Sequence, residues 1–303
     1  MEKFELTILG SNSAMPAYGR WPTSQVLELN GRCILLDCGE GAQIRMSQYK
    51  VKKNKIDYVL ISHLHGDHIY GLMGFLGSLS HLSRKKPLTI FGPKGIREYV
   101  ETNKRLSQSY FPFELIIEEL AEGQQAVIVE NNSKVISCFP VNHRITTFGY
   151  LITEKGTHRN INKDKLVEYS LTVDEILKLK EGHDLKRPDG IIPNSELTLT
   201  YHKPRSYAYC ADSRVEGWSK DSLKGVDLLY FETTYLHDLV NLAHERGHAT
   251  AMEAAQLARE LEVGQLIIGH YSSRYREVSL LLEEAKAVFP RTLQGYDGLI
   301  VNI

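Results

Sequence analysis

Short apolar and β-branched runs recur along the whole chain and are separated by polar, turn-forming segments. Runs of this kind, bounded by polar residues, are typical of buried β-strands. They lie at residues 6–9, 33–36, 59–61, 88–91, 135–139, 228–231 and 266–268. We therefore predict a strand at each of these places.

A helical period is clearest at residues 250–261, where Ala251, Ala254 and Ala258 fall on one face and Gly264 follows the end. A shorter helix is predicted at residues 172–180, because acidic residues occupy its first turn. Strands and helices mix without a regular parallel βαβ rhythm. This favours mixed β-sheets covered by helices.

The segment at residues 62–68 places three histidines and an aspartate directly after one of the apolar runs. Buried polar groups without partners cost several kcal/mol each, and a solvated surface has no reason to gather imidazoles around a carboxylate. Histidine and aspartate are common metal ligands. The motif His63, His65, Asp67 and His68 therefore predicts a metal site.

Other ligand-type residues stand at the ends of these predicted strands or of a similar run at residues 207–210. They are Asp37, His143, Asp212 and His270. Taken singly, each has an ordinary explanation, because aspartate is common in turns and a lone histidine is often a hydrogen-bonded structural residue. Together with the dense motif, His143, Asp212 and His270 are better explained as further metal ligands.

Composition narrows the class of protein. With 303 residues, 42% of them hydrophobic and 24% charged, we expect a soluble globular protein. The net charge of −1 means that a polyanion would have to be bound by a local patch. The four cysteines form no Cys-x-x-Cys pair, and no segment has the character of a signal peptide or membrane span. We expect a cytoplasmic protein with no membrane association.

The ligand series resembles that of the metallo-β-lactamase superfamily, over nearly the whole chain. The resemblance implies an α/β fold, a four-layer αββα sandwich of two mixed β-sheets. It implies one ion bound by His63, His65 and His143, a second bound by Asp67, His68 and His270, and Asp212 as the bridge. We expect two Zn²⁺ ions per chain, although Mn²⁺ and Fe²⁺ accept the same nitrogen and oxygen donors.

Three further segments, residues 39–43, 231–232 with 247–250, and 270–275, resemble the ribonuclease Z family. The resemblance implies an endoribonuclease that removes the 3′ trailer of precursor tRNA and leaves a 3′-hydroxyl on the tRNA and a 5′-phosphate on the trailer. It assigns catalytic roles to Asp67, as a proton acceptor, and to His248, a proton donor oriented by Glu232. It also implies a homodimer.

Two interpretations of these features remain open. Glu232 and His248 also fit a hydrogen-bonded pair at a helix start with no catalytic part. The same metal site would also serve a small-molecule phosphodiesterase or another hydrolase of the superfamily. A proton donor at His248 would matter most for a poor leaving group such as a ribose oxygen, and less for a substrate whose leaving group is already stabilised.

Substrate contacts are expected from planar and basic residues close to the ligands, namely Arg274, Tyr275, Arg276 and Arg214. Residues 154–204 have few apolar runs and many charges, so they are predicted to form an inserted arm on a single domain of residues 1–303. In the ribonuclease Z family an arm at this place binds tRNA. This segment lacks the glycine-proline motif usual there, which predicts a different arm shape.

Overall fold

The computed structural model describes residues 3–155, 160–188, 190–199 and 203–303. Its strands are numbered in chain order. They are β1 (Phe4–Gly10), β2 (Ser24–Leu29), β3 (Arg32–Cys38), β4 (Ile56–Leu60), β5 (Leu88–Pro93), β6 (Leu115–Leu120), β7 (Ala126–Glu130), β8 (Lys134–Val141), β9 (Thr147–Glu154), β10 (Leu185–Arg187), β11 (Gly190–Ile192), β12 (Ser206–Cys210), β13 (Leu228–Glu232), β14 (Gln265–Gly269), β15 (Thr292–Gln294) and β16 (Ile300–Asn302).

The α-helices are short, and none in the described part of the chain is long and apolar enough to cross a membrane. They are α1 (Ala42–Gln48), α2 (Gly66–Ile69), α3 (Leu72–His81), α4 (Ile96–Leu106), α5 (Lys163–Glu168), α6 (Val173–Lys180), α7 (Asn194–Leu197), α8 (Val240–Arg246), α9 (Ala251–Glu260) and α10 (Ser279–Val288).

Two seven-stranded mixed sheets are built on the same plan. The first has the order β16-β1-β2-β3-β4-β5-β6, and the second has the order β15-β14-β13-β12-β9-β8-β7. In the first sheet β1 to β3 are antiparallel, and β3 to β6 are parallel. In the second sheet β7 to β9 and β12 are antiparallel, and β12 to β15 are parallel. The carboxyl ends of the parallel strands therefore gather at one edge of each sheet.

Alternation along the strands divides the core into three apolar layers. In β14, Ile267 packs between the two sheets, while Leu266 and Ile268 pack against α9 and α10. Helices α1, α3 and α4 cover the outer face of the first sheet in the same way. Successive side chains of a strand point to opposite faces, so a strand buried on both sides is apolar throughout. The predicted αββα sandwich is confirmed.

The local predictions also hold. Each predicted apolar run lies in or overlaps a strand, namely β1, β3, β4, β5, β8, β13 and β14. The predicted helix at residues 250–261 is α9, which begins after Thr250 with a reciprocal capping box to Glu253. The helix predicted at residues 172–180 is α6, which Thr172 and Glu175 cap in the same manner.

The segment between β9 and β12 has its own small core. It contains α5, α6, the β10–β11 hairpin and α7, and Leu171, Leu179, Leu185 and Leu197 pack together in a separate cluster. The strands on either side of it are direct neighbours, because Thr153 in β9 pairs with Ser206 in β12. The chain therefore leaves the second sheet and returns to it at adjacent strand ends.

Candidate metal centre and acid–base pair

The predicted ligands converge where the carboxyl ends of the parallel strands meet. His63, His65, Asp67 and His68 follow β4, Asp212 follows β12, and His270 follows β14. His143 comes from the loop between β8 and β9. Four strand connections thus bring together residues that are up to 207 positions apart in the sequence, from His63 to His270. All seven predicted ligands belong to clusters of close donor atoms.

The first ligand group contains His63, His65, His143 and Asp212. The Nδ1 atom of His65 lies 2.9 Å from His63 Nε2 and 3.4 Å from His143 Nε2. The Oδ2 atom of Asp212 lies 3.6 Å from His63 Nε2 and 3.8 Å from His143 Nε2. Three nitrogens and one carboxylate oxygen around one point are a common donor set for zinc and similar cations.

The second group contains Asp67, His68, His270 and the other oxygen of Asp212. Asp212 Oδ1 lies 3.2 Å from His68 Nε2 and 2.9 Å from His270 Nε2. Asp67 Oδ2 lies 3.5 Å and 3.4 Å from the same two nitrogens. Asp212 therefore contributes one oxygen to each group, as expected of a bridging carboxylate.

The second group also contains polar atoms that nothing else in the described structure satisfies. His68 Nε2, His270 Nε2 and Asp212 Oδ1 are buried and lie close to one another, but none has a well-oriented hydrogen-bond partner among the described residues. Buried polar atoms are nearly always paired, and leaving one unpaired costs about 1–3 kcal/mol. Three such atoms facing one another fit a cation-binding site.

Two of the predicted histidine ligands, His68 and His143, are also hydrogen-bonded on the side away from the centre. His68 Nδ1 lies 2.7 Å from the buried carboxylate of Asp37, and His143 Nδ1 lies 2.7 Å from the carbonyl oxygen of Gly247. Donation from Nδ1 leaves Nε2 as the unprotonated atom, which is the form that binds a metal. Asp37, at the end of β3, thus belongs to the layer behind the ligands rather than to the ligands themselves.

Charge in the centre is balanced between imidazoles and carboxylates. Burial and the neighbouring His68 lower the pKa of His63 well below its usual value, so that ring is neutral. Burial opposes a charge on His270, but Asp212 and Asp67 outweigh it and raise the pKa of His270 to about 10. Metal ligation requires neutral imidazole, so a cation bound between these groups would replace that proton.

Glu232 and His248 form a buried pair beside the second ligand group. Glu232 Oε1 lies 2.8 Å from His248 Nδ1, and His248 Nδ1 lies 4.0 Å from Asp212 Oδ2. Burial lowers the pKa of His248, but the Glu232 carboxylate more than compensates and raises that pKa above its usual value. His248 lines the open cleft, so its ring is in place to exchange a proton with a bound molecule.

The centre lies at the bottom of an open cleft of about 680 Å³. Arg144, Arg246, Tyr70 and Tyr235 line it together with the ligands. No carboxylate of the described residues lies within ion-pairing distance of either arginine. The walls thus offer two cationic side chains and two aromatic rings.

The predicted substrate contacts lie around this cleft rather than in its lining. The Arg274 guanidinium lies over the Tyr235 ring, 5.6 Å from its centroid, and is exposed. The Tyr275 hydroxyl accepts a hydrogen bond from the Leu236 amide, while Arg276 is exposed. Arg214 is partly buried beside Asp212.

Sequence analysis did not identify Arg144, Arg246 or Thr234, all of which line the cleft. Arg144 follows a ligand and Arg246 precedes Gly247-His248, so adjacency to the motifs was an available signal. Thr234 had no such signal, because its role depends on contacts across β13 and β14. Its hydroxyl lies 2.7 Å from Glu232 Oε2 and 2.9 Å from His270 Nδ1.

Comparison with known proteins identifies the family to which this chain belongs. The chain is 38% identical over 304 residues to a ribonuclease Z of Bacteroides fragilis, covering 100% of both chains. It is 40% identical to a ribonuclease Z of Cytophaga hutchinsonii, covering 97% of this chain and 95% of the relative. The chain belongs to the ribonuclease Z family. Glu232 and His248, two of the residues that suggested this family in the sequence, are paired beside the predicted metal ligands.

Solved structures agree with this assignment at the level of the fold. Human tRNase Z, short form, superposes with a TM-score of 0.72 at 22% identity and covers 98% of each chain. The metallo-β-lactamase fold protein YhfI from Bacillus subtilis superposes with a TM-score of 0.69 at 18% identity, over the full length of both. A family model described as anti-Pycsar protein Apyc1 also matches residues 4–137. That match covers less than half of the chain.

Proposed function

We propose that this chain is a metal-dependent endoribonuclease that removes the 3′ trailer from precursor tRNA. The observation that carries the proposal is the Glu232–His248 pair, held 4.0 Å from the carboxylate shared by the two ligand groups. Membership of the ribonuclease Z family supports tRNA as the substrate. We expect a 3′-hydroxyl on the tRNA and a 5′-phosphate on the released trailer.

The donor atoms support two cations, and zinc is our proposal for both. His63, His65 and His143 would hold one, Asp67, His68 and His270 would hold the other, and Asp212 would bridge them. Such cations lower the pKa of a bound water and neutralise charge on a phosphoryl transition state. The donor chemistry of the two groups fits this requirement.

The side chains around the ligands would supply the proton transfers. The departing 3′ oxygen of a ribose has a high pKa and needs a proton as it leaves. His248 would donate it, because Glu232 occupies Nδ1 and leaves Nε2 for the leaving group. Glu232 stabilises the charged ring before transfer and holds its orientation afterwards. Asp67, a carboxylate beside the attacking face, would accept the proton of the attacking water.

Binding of the RNA requires cations and flat surfaces beyond the centre. We propose that Arg274, Arg276 and Arg214 bind phosphates around the cleft and that Tyr275, whose hydroxyl accepts from the Leu236 amide, is a further contact to the RNA. The segment at residues 154–204 would act as the tRNA-binding arm, and the chain would work as a cytoplasmic homodimer. Its separate apolar cluster supports an independently folded arm.

Incubation of metal-loaded protein with a 3′-extended precursor tRNA tests the proposal. We expect a single cut with the product ends stated above. His248→Ala should lower the rate by roughly 10²–10⁴-fold, as for loss of a general acid, while its metal content stays unchanged. His244→Ala is the matched control, because His244 lies on the adjacent α8 and pairs with Glu253 outside the cleft lining.

Two outcomes would contradict the proposal. Full activity of His248→Ala would remove the assigned acid. Hydrolysis of bis(p-nitrophenyl) phosphate without any cleavage of precursor tRNA would favour the small-molecule phosphodiesterase instead. Its p-nitrophenolate leaving group is already stabilised, so that reaction should depend far less on His248.

A further inference from the structure

The two oxygens of Glu232 serve different partners. Oε1 accepts from His248 Nδ1 at 2.8 Å, and Oε2 accepts from the Thr234 amide at 2.9 Å and the Thr234 hydroxyl at 2.7 Å. The Thr234 hydroxyl also lies 2.9 Å from His270 Nδ1. One carboxylate is therefore connected both to the proposed acid and, through one hydroxyl, to a metal ligand.

The directions of these hydrogen bonds follow from the number of protons available. A carboxylate only accepts, so the single proton of the Thr234 hydroxyl points to Glu232 Oε2. The hydroxyl oxygen can then only accept from His270, which places the proton of that ring on Nδ1. The other nitrogen, Nε2, is the atom that faces Asp67 and Asp212 without a hydrogen-bond partner. The hydroxyl thus fixes the tautomer that metal binding requires.

The first sheet contains the same arrangement. The Ser62 hydroxyl donates to Asp37 Oδ2 at 2.8 Å and lies 2.9 Å from His63 Nδ1. Asp37 lies at the end of β3 and Ser62 follows the neighbouring β4, while Glu232 ends β13 and Thr234 follows it. A carboxylate–hydroxyl–histidine relay therefore occurs once in each sheet, which argues against a chance contact at Thr234.

We propose that Thr234 is a positioning residue that fixes His270 for metal binding and ties this ligand to the carboxylate that orients His248. Thr234 is 3% exposed, and its hydroxyl lies among these groups. The proposal rests on the metal centre of the proposed function, but it concerns ion affinity and needs no RNA. Through Thr234, one carboxylate, that of Glu232, then supports both His270 of the second ligand group and the proposed acid His248.

Titration of metal-free protein with Zn²⁺ against a competing chelator, without RNA, tests the proposal. Thr234→Val keeps the shape of the side chain and removes the hydroxyl. We expect one Zn²⁺, the ion of the second ligand group, to bind roughly 10–100-fold less tightly, the usual effect of losing a hydrogen-bond partner of a metal ligand. Thr234→Ser restores the hydroxyl and should bind like the wild type.

Thr233→Val is the matched control. Thr233 is the adjacent buried threonine, and its hydroxyl donates to the Gly269 carbonyl at 3.2 Å, next to His270 but outside the relay. It should bind Zn²⁺ about as tightly as the wild type. A Thr234→Val affinity no weaker than that of Thr233→Val would overturn the proposal.

Glu232→Gln and His248→Ala provide a second test that does not depend on the folding of Thr234→Val. A glutamine amide can donate to the Thr234 hydroxyl, so that hydroxyl no longer has to act as an acceptor for His270. Glu232→Gln should therefore weaken binding of the same Zn²⁺. His248→Ala leaves the relay intact and should not. Equal Zn²⁺ affinity in both variants would refute the coupling. Failure of precursor tRNA cleavage with normal Zn²⁺ binding would count against the proposed function alone.

Discussion

Glu232 accepts five hydrogen bonds at the end of β13, from Ser213, Thr234, His248 and Ala249. Three of the donors are backbone amides, so the position of the carboxylate is set by the fold itself. A carboxylate that cannot rotate holds the His248 ring in one orientation. The pair therefore combines a fixed geometry with a favourable charge, which is what a proton donor requires.

Replacing Glu232 by glutamine should shift the pH dependence of cleavage. Burial lowers the pKa of His248, and the Glu232 carboxylate raises it above its usual value. Without that carboxylate the pKa of His248 falls, so the protonated acid disappears at a lower pH. We expect the alkaline limb of the kcat profile on precursor tRNA to move to lower pH by about one unit or more.

The same profile measured with His248→Ala is the control, because a chain without the acid has no such limb to move. An alkaline limb at the same pH in Glu232→Gln and in the wild type would show that His248 is not the titrating group. Metal content should be measured in each variant, since loss of an ion would lower the rate at every pH rather than shift the limb.

At the scale of elements, the strand ends explain why the candidate metal ligands could be found in the sequence and the residues that support them could not. The segment His63 to His68 is dense enough to be read locally, and Asp212 and His270 follow apolar runs that become β12 and β14. Thr234 and Ser62 are common residue types that become supports only when two strands align. Asp37 stood at a predicted strand end, but its assignment to His68 needed the contact between β3 and α2.

Asp37 also joins the two sheets. Its carboxylate accepts from the Ser62 amide and hydroxyl, from His68 Nδ1 and from the Tyr209 hydroxyl of the opposite sheet. Its backbone has a φ of 53°, in the left-handed region that aspartate and asparagine tolerate better than most residues. A single strand end thus connects β4, α2 and β12.

Asp37→Asn should lower the free energy of unfolding of the metal-free protein by about 3 kcal/mol, because several buried donors lose a charged acceptor while the backbone remains tolerable. Tyr209→Phe removes only one of these donors and should cost about 1 kcal/mol. Urea unfolding in the presence of a chelator would measure both changes.

Asp238→Ala, at an exposed position, is the control and should change stability by less than about 0.5 kcal/mol. An Asp37→Asn variant as stable as Asp238→Ala would mean that the carboxylate is not needed to hold the sheets together. Weaker Zn²⁺ binding is expected in addition, because His68 loses the partner that fixes its tautomer.

At the scale of the whole molecule, the two sheets share one plan, pack face to face and bring their strand ends together at the candidate metal centre. Each contributes a carboxylate–hydroxyl–histidine relay, and Asp212 completes both ligand groups. The region between β9 and β12 stands outside this plan. Its apolar cluster is separate, and its position between adjacent strands means that the sandwich does not depend on it for strand order.

Removal of residues 156–202 should therefore separate RNA binding from chemistry. Thr153 and Ser206 are paired, and Glu154 and Arg205 form an ion pair at 2.7 Å, so a short glycine-containing turn can close the hairpin. We expect kcat/KM for precursor tRNA to fall by roughly a hundredfold, mainly through KM, because a second attachment point is lost. Hydrolysis of bis(p-nitrophenyl) phosphate should remain close to that of the full chain.

A variant that changes only charges distinguishes how much the lysines of residues 154–204 contribute to RNA binding from how much the bulk of that segment contributes. Lys163, Lys178, Lys180 and Lys186 lie in the described part of the arm, and replacing them by glutamine leaves its apolar cluster in place. If the arm binds RNA through phosphates, this variant weakens binding in the same direction as the deletion and flattens its dependence on salt, because fewer counterions are released. If the deletion leaves KM for precursor tRNA unchanged, the arm has no part in RNA binding, and the cations around the cleft must hold the substrate alone.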